Sequence, residues 1–207
     1  LLQDNRLTGP LDNLFDPSRQ AFLNTVQVSG NEFTGTIPQA PFMVKGFSQF
    51  SAVDNCLHGY IPEIICNCTS LNILAIDGVA TAQQCRRMLI PGSNSYISKN
   101  PLPGGIPLCL FQLPVLTTLH LSGNELTGSL PYDLEIGDFL IDLALSHNQL
   151  KGRIPRAIQE RSWYALDLSY NRFSDTLMAT FNTKPVNIEL LINITLGRLT
   201  KSILKPY

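Results

Sequence analysis

Hydrophobic and polar positions follow a pattern that returns every 21 to 26 residues along the whole chain. Three segments show the pattern most clearly, each around an asparagine: VSGNEFTGTIP (28–38), LSGNELTGSLP (121–131) and LSHNQLKGRIP (145–155). We call the position of this asparagine the anchor. The anchors of the nine predicted copies are Asn5, Asn31, Asn55, Val79, Asn100, Asn124, Asn148, Asn171 and Gly197. Self-similarity at such a period predicts a repeat architecture.

Most copies carry apolar residues eight, five and three positions before the anchor, although the fifth has Gly92 and Ser95 and the ninth has Glu189 at such places. In the sixth copy these are Leu116, Leu119 and Leu121. The last two alternate with polar residues, which is the period of a short, half-buried strand. A glycine follows four positions after the anchor and a proline seven positions after it, as at Gly128 and Pro131. Because one strand cannot bury its apolar side alone, the pattern predicts stacked coils that share a continuous core.

The anchor asparagines are predicted to be buried. A buried amide side chain can bond backbone groups where the chain turns away from the strand, and stacked asparagines then form a ladder. The residues predicted to form this ladder are Asn31, Asn55, Asn100, Asn124, Asn148 and Asn171. The apolar residues two positions after the anchors, Phe33, Leu126, Leu150 and Phe173, are predicted to lie in the core.

These residues resemble the plant-type leucine-rich repeat family, whose pattern is LxxLxLxxNxLxGxIP. The resemblance covers essentially the whole chain. It implies a β-rich solenoid of the α/β repeat class, a right-handed arc with a parallel concave sheet and an irregular or 3-10 convex side. Residues 1–207 are expected to form one array of about nine coils, irregular around 71–99, within a longer protein.

The amino-acid composition excludes some classes of protein. Hydrophobic residues make up 44% of the chain, which is enough for a buried core. Fifteen basic and sixteen acidic residues give a net charge of -1, which excludes a protein that holds nucleic acid by bulk positive charge. No apolar run reaches the ~18 residues of a membrane helix. Membrane attachment is therefore expected only through segments outside this sequence.

Five cysteines are present, so at least one is unpaired within the chain: Cys56, Cys66, Cys68, Cys85 and Cys109. Neighbouring coils stack ~4.8 Å apart, within the ~4.4–6.8 Å Cα separation of a disulfide. This favours Cys66 with Cys85, or Cys85 with Cys109. A Cys66–Cys109 bond would span two coils and is disfavoured, and Cys56 is expected to be unpaired. Free thiols in a reducing compartment are the alternative, and no metal site is expected, because a second ligand pair at zinc spacing is missing.

Two N-glycosylation sequons occur, Asn67-Cys68-Thr69 and Asn193-Ile194-Thr195. Together with the clustered cysteines and the family resemblance, they favour an extracellular or cell-surface protein over a cytoplasmic one. Asn67 is predicted to lie on the convex side and to carry a glycan, whereas Asn193 is predicted to be unmodified.

The concave face is the predicted binding surface, as in other solenoids. Nine residues with aromatic, basic and acidic side chains are predicted to line it: Tyr96, Lys99, His120, Asp142, His147, Tyr164, Asp167, Tyr170 and Arg172. This mixture is typical of protein or peptide contacts, although a hydrated sheet face without a partner is the alternative. His120 and Asp167 lie in one lane two strands apart, roughly 10 Å, which is too far for a catalytic hydrogen bond. We therefore predict neither an enzyme nor a cofactor.

The predicted function is non-catalytic recognition of a protein, a peptide or possibly a glycan. Similar family members include receptor-kinase ectodomains, receptor-like proteins and inhibitors of cell-wall-degrading enzymes such as polygalacturonases. A receptor-like ectodomain is the favoured role, and a soluble inhibitor of a secreted hydrolase is the alternative. A structural or ice-binding array would show regular Thr or Asn lanes, which this chain mostly lacks.

Overall fold

The computed structural model describes residues 1–78 and 104–181. The described strands, in chain order, are β1 (Thr8–Pro10), β2 (Thr25–Gln27), β3 (Glu32–Thr34), β4 (Gln49–Ser51), β5 (Ile73–Ala75), β6 (Thr118–His120), β7 (Thr127–Ser129), β8 (Asp142–Ala144), β9 (Gln149–Gly152), β10 (Ala165–Asp167) and β11 (Arg172–Phe173). Six of them form the main sheet in the order β10-β8-β6-β5-β4-β2. Every pair in it is parallel, which confirms the predicted β-rich arc with one parallel strand per coil.

A second, discontinuous sheet follows the anchors. It pairs β1 with β3, and β9 with both β7 and β11. The glycine that follows each anchor by four positions adopts a left-handed backbone, for example φ +96° at Gly128. A Cβ atom at Gly128 would meet no heavy atom within 4 Å. This position therefore requires glycine for its backbone conformation and not for lack of space.

The convex side is built from short helical turns. The 3-10 helices are η1 (Leu11–Leu14), η2 (Ala40–Met43), η3 (Glu63–Asn67) and η4 (Leu108–Gln112), and one α-helix, α1, spans Arg156–Glu160. Pro62, Pro107 and Pro155 stand directly before η3, η4 and α1. Proline fixes φ and has no N–H to contribute to the sheet, so the conserved spacing of the prolines ends strand pairing at these points. None of the described helices is long and apolar enough to cross a membrane.

The core lies between the main sheet and the convex turns. Leu116, Leu119 and Leu121 are fully buried, as the repeat pattern predicts. The residues two positions after the anchors are buried as well: Phe33, Leu126, Leu150 and Phe173. The buried side chains of all described coils form one continuous cluster.

The anchor asparagines form the predicted ladder between coils. The Asn148 Oδ1 atom accepts hydrogen bonds from the backbone N–H groups of Asn124 and Leu126, both at 3.0 Å. Its Nδ2 atom donates to the carbonyl of Leu121 in the previous coil and to two carbonyls of its own coil. The same pattern of Nδ2 donors recurs at Asn31, Asn55, Asn124 and Asn171. Asn100 lies outside the described residues.

The coil count differs from the prediction at one place. Strand β5 pairs directly with β6, with Leu74 opposite Leu119, so no strand anchored at Asn100 lies between them. Gly104 forms an isolated parallel bridge with Leu126. It therefore takes the place that the glycine four positions after an anchor has in the other coils, and it belongs to the coil of β5. Gly78 and Gly104 are 26 positions apart, whereas the equivalent Gly123 and Gly128 are 5 apart, so this coil carries 21 additional residues. Because this insertion has nearly the length of one repeat, it was predicted to be a separate copy.

The disulfide pairing follows from this geometry. Cys66 in η3 and Cys109 in η4 are bonded, with their Cα atoms 5.6 Å apart. The prediction that this pair would span two coils, and that Cys85 would bond Cys66 or Cys109, is therefore wrong. Because β5 pairs directly with β6, the helical turns that precede these strands, η3 and η4, are direct neighbours.

Cys56 is also disulfide-bonded, so the prediction that it is unpaired is wrong. Its partner is none of the other described cysteines, since Cys66 and Cys109 bond each other and Cys68 is free and buried. Burial also raises the pKa of the Cys68 thiol, which keeps it unreactive. The remaining cysteine of the sequence, Cys85, lies outside the described residues.

We therefore expect a non-reduced proteolytic digest of secreted protein to contain two linked peptide pairs. One pair joins the peptides of Cys66 and Cys109, and the other joins those of Cys56 and Cys85. Mass spectrometry before and after reduction measures both. A Cys56 peptide that has the mass of a free thiol in the non-reduced digest contradicts the expectation.

Candidate ligand-binding face

The concave face comprises the side chains of the main sheet that point away from the core. Its central lane, set by the strand register, reads Gln27, Ser51, Ala75, His120, Ala144 and Asp167. From β5 to β10 half of the outward-facing positions hold small residues: Ala75, Ala144, Ala165, Ser122, Ser146 and Ser169. The three serines are buried, so the longer side chains in this part stand above a low floor.

His120 lies between two carboxylates. Its Nε2 atom is 2.9 Å from Asp142 Oδ1, and its Nδ1 atom is 3.6 Å from Asp77 Oδ2. These three residues come from three adjacent strands or strand ends, so they cross the face diagonally. His120 and Asp142 were predicted to share the face, and the structure brings them into contact.

Asp77 is a site residue that the sequence did not predict. It is 43 residues before His120 in the chain, and the supposed coil around Asn100 separated the two in the predicted stack. The sequence did mark Asp77 as unusual. Two residues after the central lane, most copies have a serine or another small residue, and this copy has an aspartate. Burial raises the pKa of Asp77 to about 6, and the negative charge of Asp142 adds to the rise. His120 and the Ser122 N–H group act in the opposite direction.

Asp142 and Asp167 lie on neighbouring strands with alanines beside them. Asp142 is opposite Ala165, and Asp167 is opposite Ala144. Asp167 Oδ1 accepts hydrogen bonds from the backbone N–H and the hydroxyl of Ser169, at 3.0 and 2.7 Å. We call Asp142, Ala144, Ala165 and Asp167 the Asp–Ala square.

His147 and Tyr170 stack at the C-terminal edge of the main sheet. Their ring centroids are 4.1 Å apart, with an angle of 21° between the ring planes. Each stands directly before its anchor and has a left-handed backbone, with φ +53° and +51°. This conformation costs a non-glycine residue roughly 1–2 kcal/mol. The equivalent positions hold Gly30 and Gly123 in two coils and Asp4 and Asp54, which are also left-handed, in two others. The left-handed backbone is therefore a feature of the turn before the anchor.

Apolar side chains are exposed at the N-terminal edge of the same strands. Tyr164, directly before β10, is 56% exposed, and Ile141, directly before β8, is 44% exposed. Phe139, two residues earlier, is 58% exposed. The equivalent positions in earlier coils, Ser48 and Asn72, instead make hydrogen bonds to neighbouring coils. The edge therefore changes from polar to apolar towards β10.

Three of the nine predicted face residues are not placed on the face. Arg172 belongs to β11, which pairs with β9 in the second sheet, so the prediction that it lies on the concave face is wrong. A residue directly after the anchor lies past the turn that leaves the main sheet. Tyr96 and Lys99 lie outside the described residues.

Neither Ser146 nor Ser169 has its hydroxyl bonded to a histidine in the described part of the chain. Each ring nitrogen of His120 faces a carboxylate, while the hydroxyl of Ser146 donates to Ser122 and that of Ser169 donates to Asp167. Over residues 1–78 and 104–181, no group of His, Cys, Asp and Glu could hold a metal ion. Asn67 is exposed at the end of η3 on the convex side, and its glycosylation stays a prediction, as does the absence of a glycan at Asn193, which lies outside the described residues.

Comparisons with known proteins agree with this geometry. The Leucine Rich Repeat family model matches residues 115–135, and no curated protein sequence matches significantly. The plant peptide hormone receptor RGFR1, solved with RGF2, is 28% identical over 82% of this chain and 24% of its own, with a TM-score of 0.65. A plant ice-binding protein is 27% identical over 84% of this chain and 49% of its own, with a TM-score of 0.62.

The Arabidopsis receptor kinase HAESA, solved with the peptide hormone IDA and the co-receptor SERK1, is 30% identical. That match covers 83% of this chain and 29% of HAESA, with a TM-score of 0.58. The chain thus spans between 24% and 49% of the length of these three proteins. With the repeat spacing, the parallel sheet and the asparagine ladder, these matches show that the chain is a leucine-rich repeat protein of the plant type.

Proposed function

We propose that this chain is part of a receptor-like ectodomain that binds a protein or peptide on its concave face. The observation that carries the proposal is the low floor between β5 and β10, with exposed aromatic side chains at both edges of the sheet. Small floor residues leave room for a ligand backbone to approach the strands. Exposed rings at the edges supply large contact areas at a low cost in conformational entropy.

Two further observations support the same face. A buried carboxylate with a raised pKa, Asp77, is a feature that is frequent at functional sites. The stacked rings of His147 and Tyr170 stand at the C-terminal edge of the same face. The similar RGFR1 and HAESA structures are themselves complexes with peptide hormones.

The proposed setting is extracellular and the proposed role is non-catalytic. Two described disulfide-bonded sites, at Cys56 and at Cys66 with Cys109, fit an oxidising compartment. The exposed sequon at Asn67 fits the same compartment.

Ice binding is the second candidate, because a plant ice-binding protein has a similar fold. A surface that binds ice needs a regular array of like side chains. The central lane of the concave face instead changes from Gln27 to Ser51, Ala75 and His120 along consecutive strands. This irregularity favours an irregular ligand such as a peptide, and a soluble inhibitor of a secreted hydrolase would use the same face.

A displayed library of random linear peptides, selected on the full chain from a secretory host, tests the proposal. Selected peptides are synthesised and their Kd values are measured by titration calorimetry. We expect Ala144→Trp, which fills the floor, and Tyr170→Ala, which removes an edge ring, each to weaken binding about tenfold, or 1.4 kcal/mol.

The matched controls are Ala157→Trp, in α1 on the convex side, and Lys151→Ala, in the second sheet. Both are expected to leave the Kd unchanged. Circular dichroism of all four variants confirms that the coil is intact. Peptides that bind Ala144→Trp as tightly as the original chain, or that lose affinity for Ala157→Trp instead, contradict the concave face as the binding surface.

A further inference from the structure

The concave face carries negative and no fixed positive charge in the described coils. Within the six strands of the main sheet and the three residues after each, the acidic residues are Asp54, Asp77, Asp142 and Asp167. Every lysine and arginine of residues 1–78 and 104–181 lies elsewhere: Arg6, Arg19, Lys45, Lys151, Arg153, Arg156, Arg161 and Arg172. The face therefore presents a negative potential to a ligand, which favours a partner of opposite charge.

The Asp–Ala square gives this charge a defined shape. In the strand register, Asp142 and Asp167 occupy one diagonal, and Ala144 and Ala165 occupy the other. Strand spacing of ~4.8 Å and a rise of ~3.3 Å per residue put the Cα atoms of the two aspartates about 8 Å apart. The two methyl side chains leave the space between the carboxylates open.

Each carboxylate has an oxygen that is available to a ligand. Asp142 uses Oδ1 for His120, and Asp167 uses Oδ1 for Ser169. The Oδ2 atoms of both make no hydrogen bond or ion pair with any residue in the described part of the chain. A cationic group between them would thus add interactions without displacing existing ones.

Aromatic rings flank the square at both ends of β10. Tyr164 directly precedes the strand and is 56% exposed, and Tyr170 follows three residues after it and is 47% exposed. These rings offer contact area to the residues of a peptide that lie on either side of the one bound at the square.

We propose that the Asp–Ala square receives the guanidinium group of an arginine in a peptide that lies across the concave face. This proposal rests on the proposed function, because it names the chemistry of the ligand that the same face binds. A planar guanidinium presents donors on several sides, so it can bond two separated carboxylates at once, whereas an ammonium group is a compact point charge.

The selected peptides described above provide the test. Peptides whose binding is lost in Ala144→Trp are expected to be enriched in arginine compared with the unselected library. Replacing that arginine by glutamine is expected to raise the Kd about tenfold, and replacing it by lysine several-fold. The double variant Asp142→Asn with Asp167→Asn is expected to raise the Kd of the arginine peptide about tenfold and to leave that of the glutamine peptide unchanged. The variant Asp133→Asn removes an exposed carboxylate off the face and is the matched control for charge.

The outcomes separate the two proposals. Peptides that need an open floor, but show no arginine enrichment or bind the double variant with equal affinity, overturn the arginine site and leave the proposed function standing. A lysine peptide that binds as tightly as the arginine peptide overturns the guanidinium assignment. If no selected peptide is sensitive to Ala144→Trp, both proposals fail.

Discussion

Replacing Asn148 by alanine is expected to lower the free energy of unfolding by about 3–4 kcal/mol. The substitution leaves the buried N–H groups of Asn124 and Leu126 without their acceptor and removes three donor bonds to carbonyls. An unpaired buried backbone group costs about 1–3 kcal/mol, and alanine cannot replace either function. Urea denaturation followed by the fluorescence of Trp163, the single tryptophan of the chain and a buried one, measures the loss.

Asn124→Ala is the informative comparison. Asn124 is as deeply buried as Asn148 and makes the same kind of donor bonds, but its Oδ1 atom has no hydrogen-bond partner among the described residues. In the regular coils the Oδ1 partners belong to the preceding coil, and there the chain departs from the repeat after Gly78. We therefore expect the Asn124 variant to lose only about 1–2 kcal/mol. The exposed Asn13→Ala change in η1 serves as a control that is expected to be neutral, and equal losses at Asn124 and Asn148 would contradict this reasoning.

The substitution Asp77→Asn is expected to stabilise the protein at pH 7.5 and to have little effect at pH 4. Burial raises the pKa of Asp77 to about 6, whereas the unfolded chain loses this proton near pH 3.9. The folded protein therefore binds the proton more tightly, and its stability falls as pH rises from about 4 to 6. Asparagine removes this penalty and keeps an oxygen to accept the Ser122 N–H bond, so the gain at pH 7.5 is at most about 3 kcal/mol.

Urea denaturation of both proteins at several pH values checks this expectation. The difference in unfolding free energy between variant and original chain should grow between pH 4 and pH 6 and then level off. The charges that face Asp77 among the described residues are His120 and Asp142, so His120→Gln tests whether the histidine contributes to the slope. A destabilised Asp77→Asn variant at pH 7.5 would show that the attraction to His120 outweighs the cost of burial.

Much of the fold could be predicted from the sequence because each coil repeats the same local chemistry. The spacing of Leu116, Leu119 and Leu121 predicts the strand and the core, and Asn148 predicts the ladder. These features depend on contacts within one coil or with an identical neighbour, so counting residues is sufficient. The error at Asn100 arose because the spacing of the anchors in the sequence does not show which coils are neighbours in the stack. There, 21 inserted residues have nearly the length of a copy.

The candidate site shows the same limit. His120, Asp142 and Asp167 could be placed on the concave face, because alternation along a strand is a local property. The contact of His120 with Asp77 could not, since it depends on the direct pairing of β5 with β6 across the insertion. The disulfide between Cys66 and Cys109 was predicted to be disfavoured for the same reason. The stack of His147 on Tyr170 had no sequence signal, because it depends on left-handed backbones at two non-glycine residues.

Because β5 pairs directly with β6, the arrangement of the coils does not depend on the length of the segment between Gly78 and Gly104. The coils on either side are held by their own register, ladder and core, so their stacking does not depend on how many residues join these two glycines. Doubling the number of residues that join two fixed points costs only about 0.6 kcal/mol of closure entropy. Evolution or a protein engineer can therefore vary the length of this segment while the sheet on either side stays the same, provided that the replacement keeps a disulfide partner for Cys56.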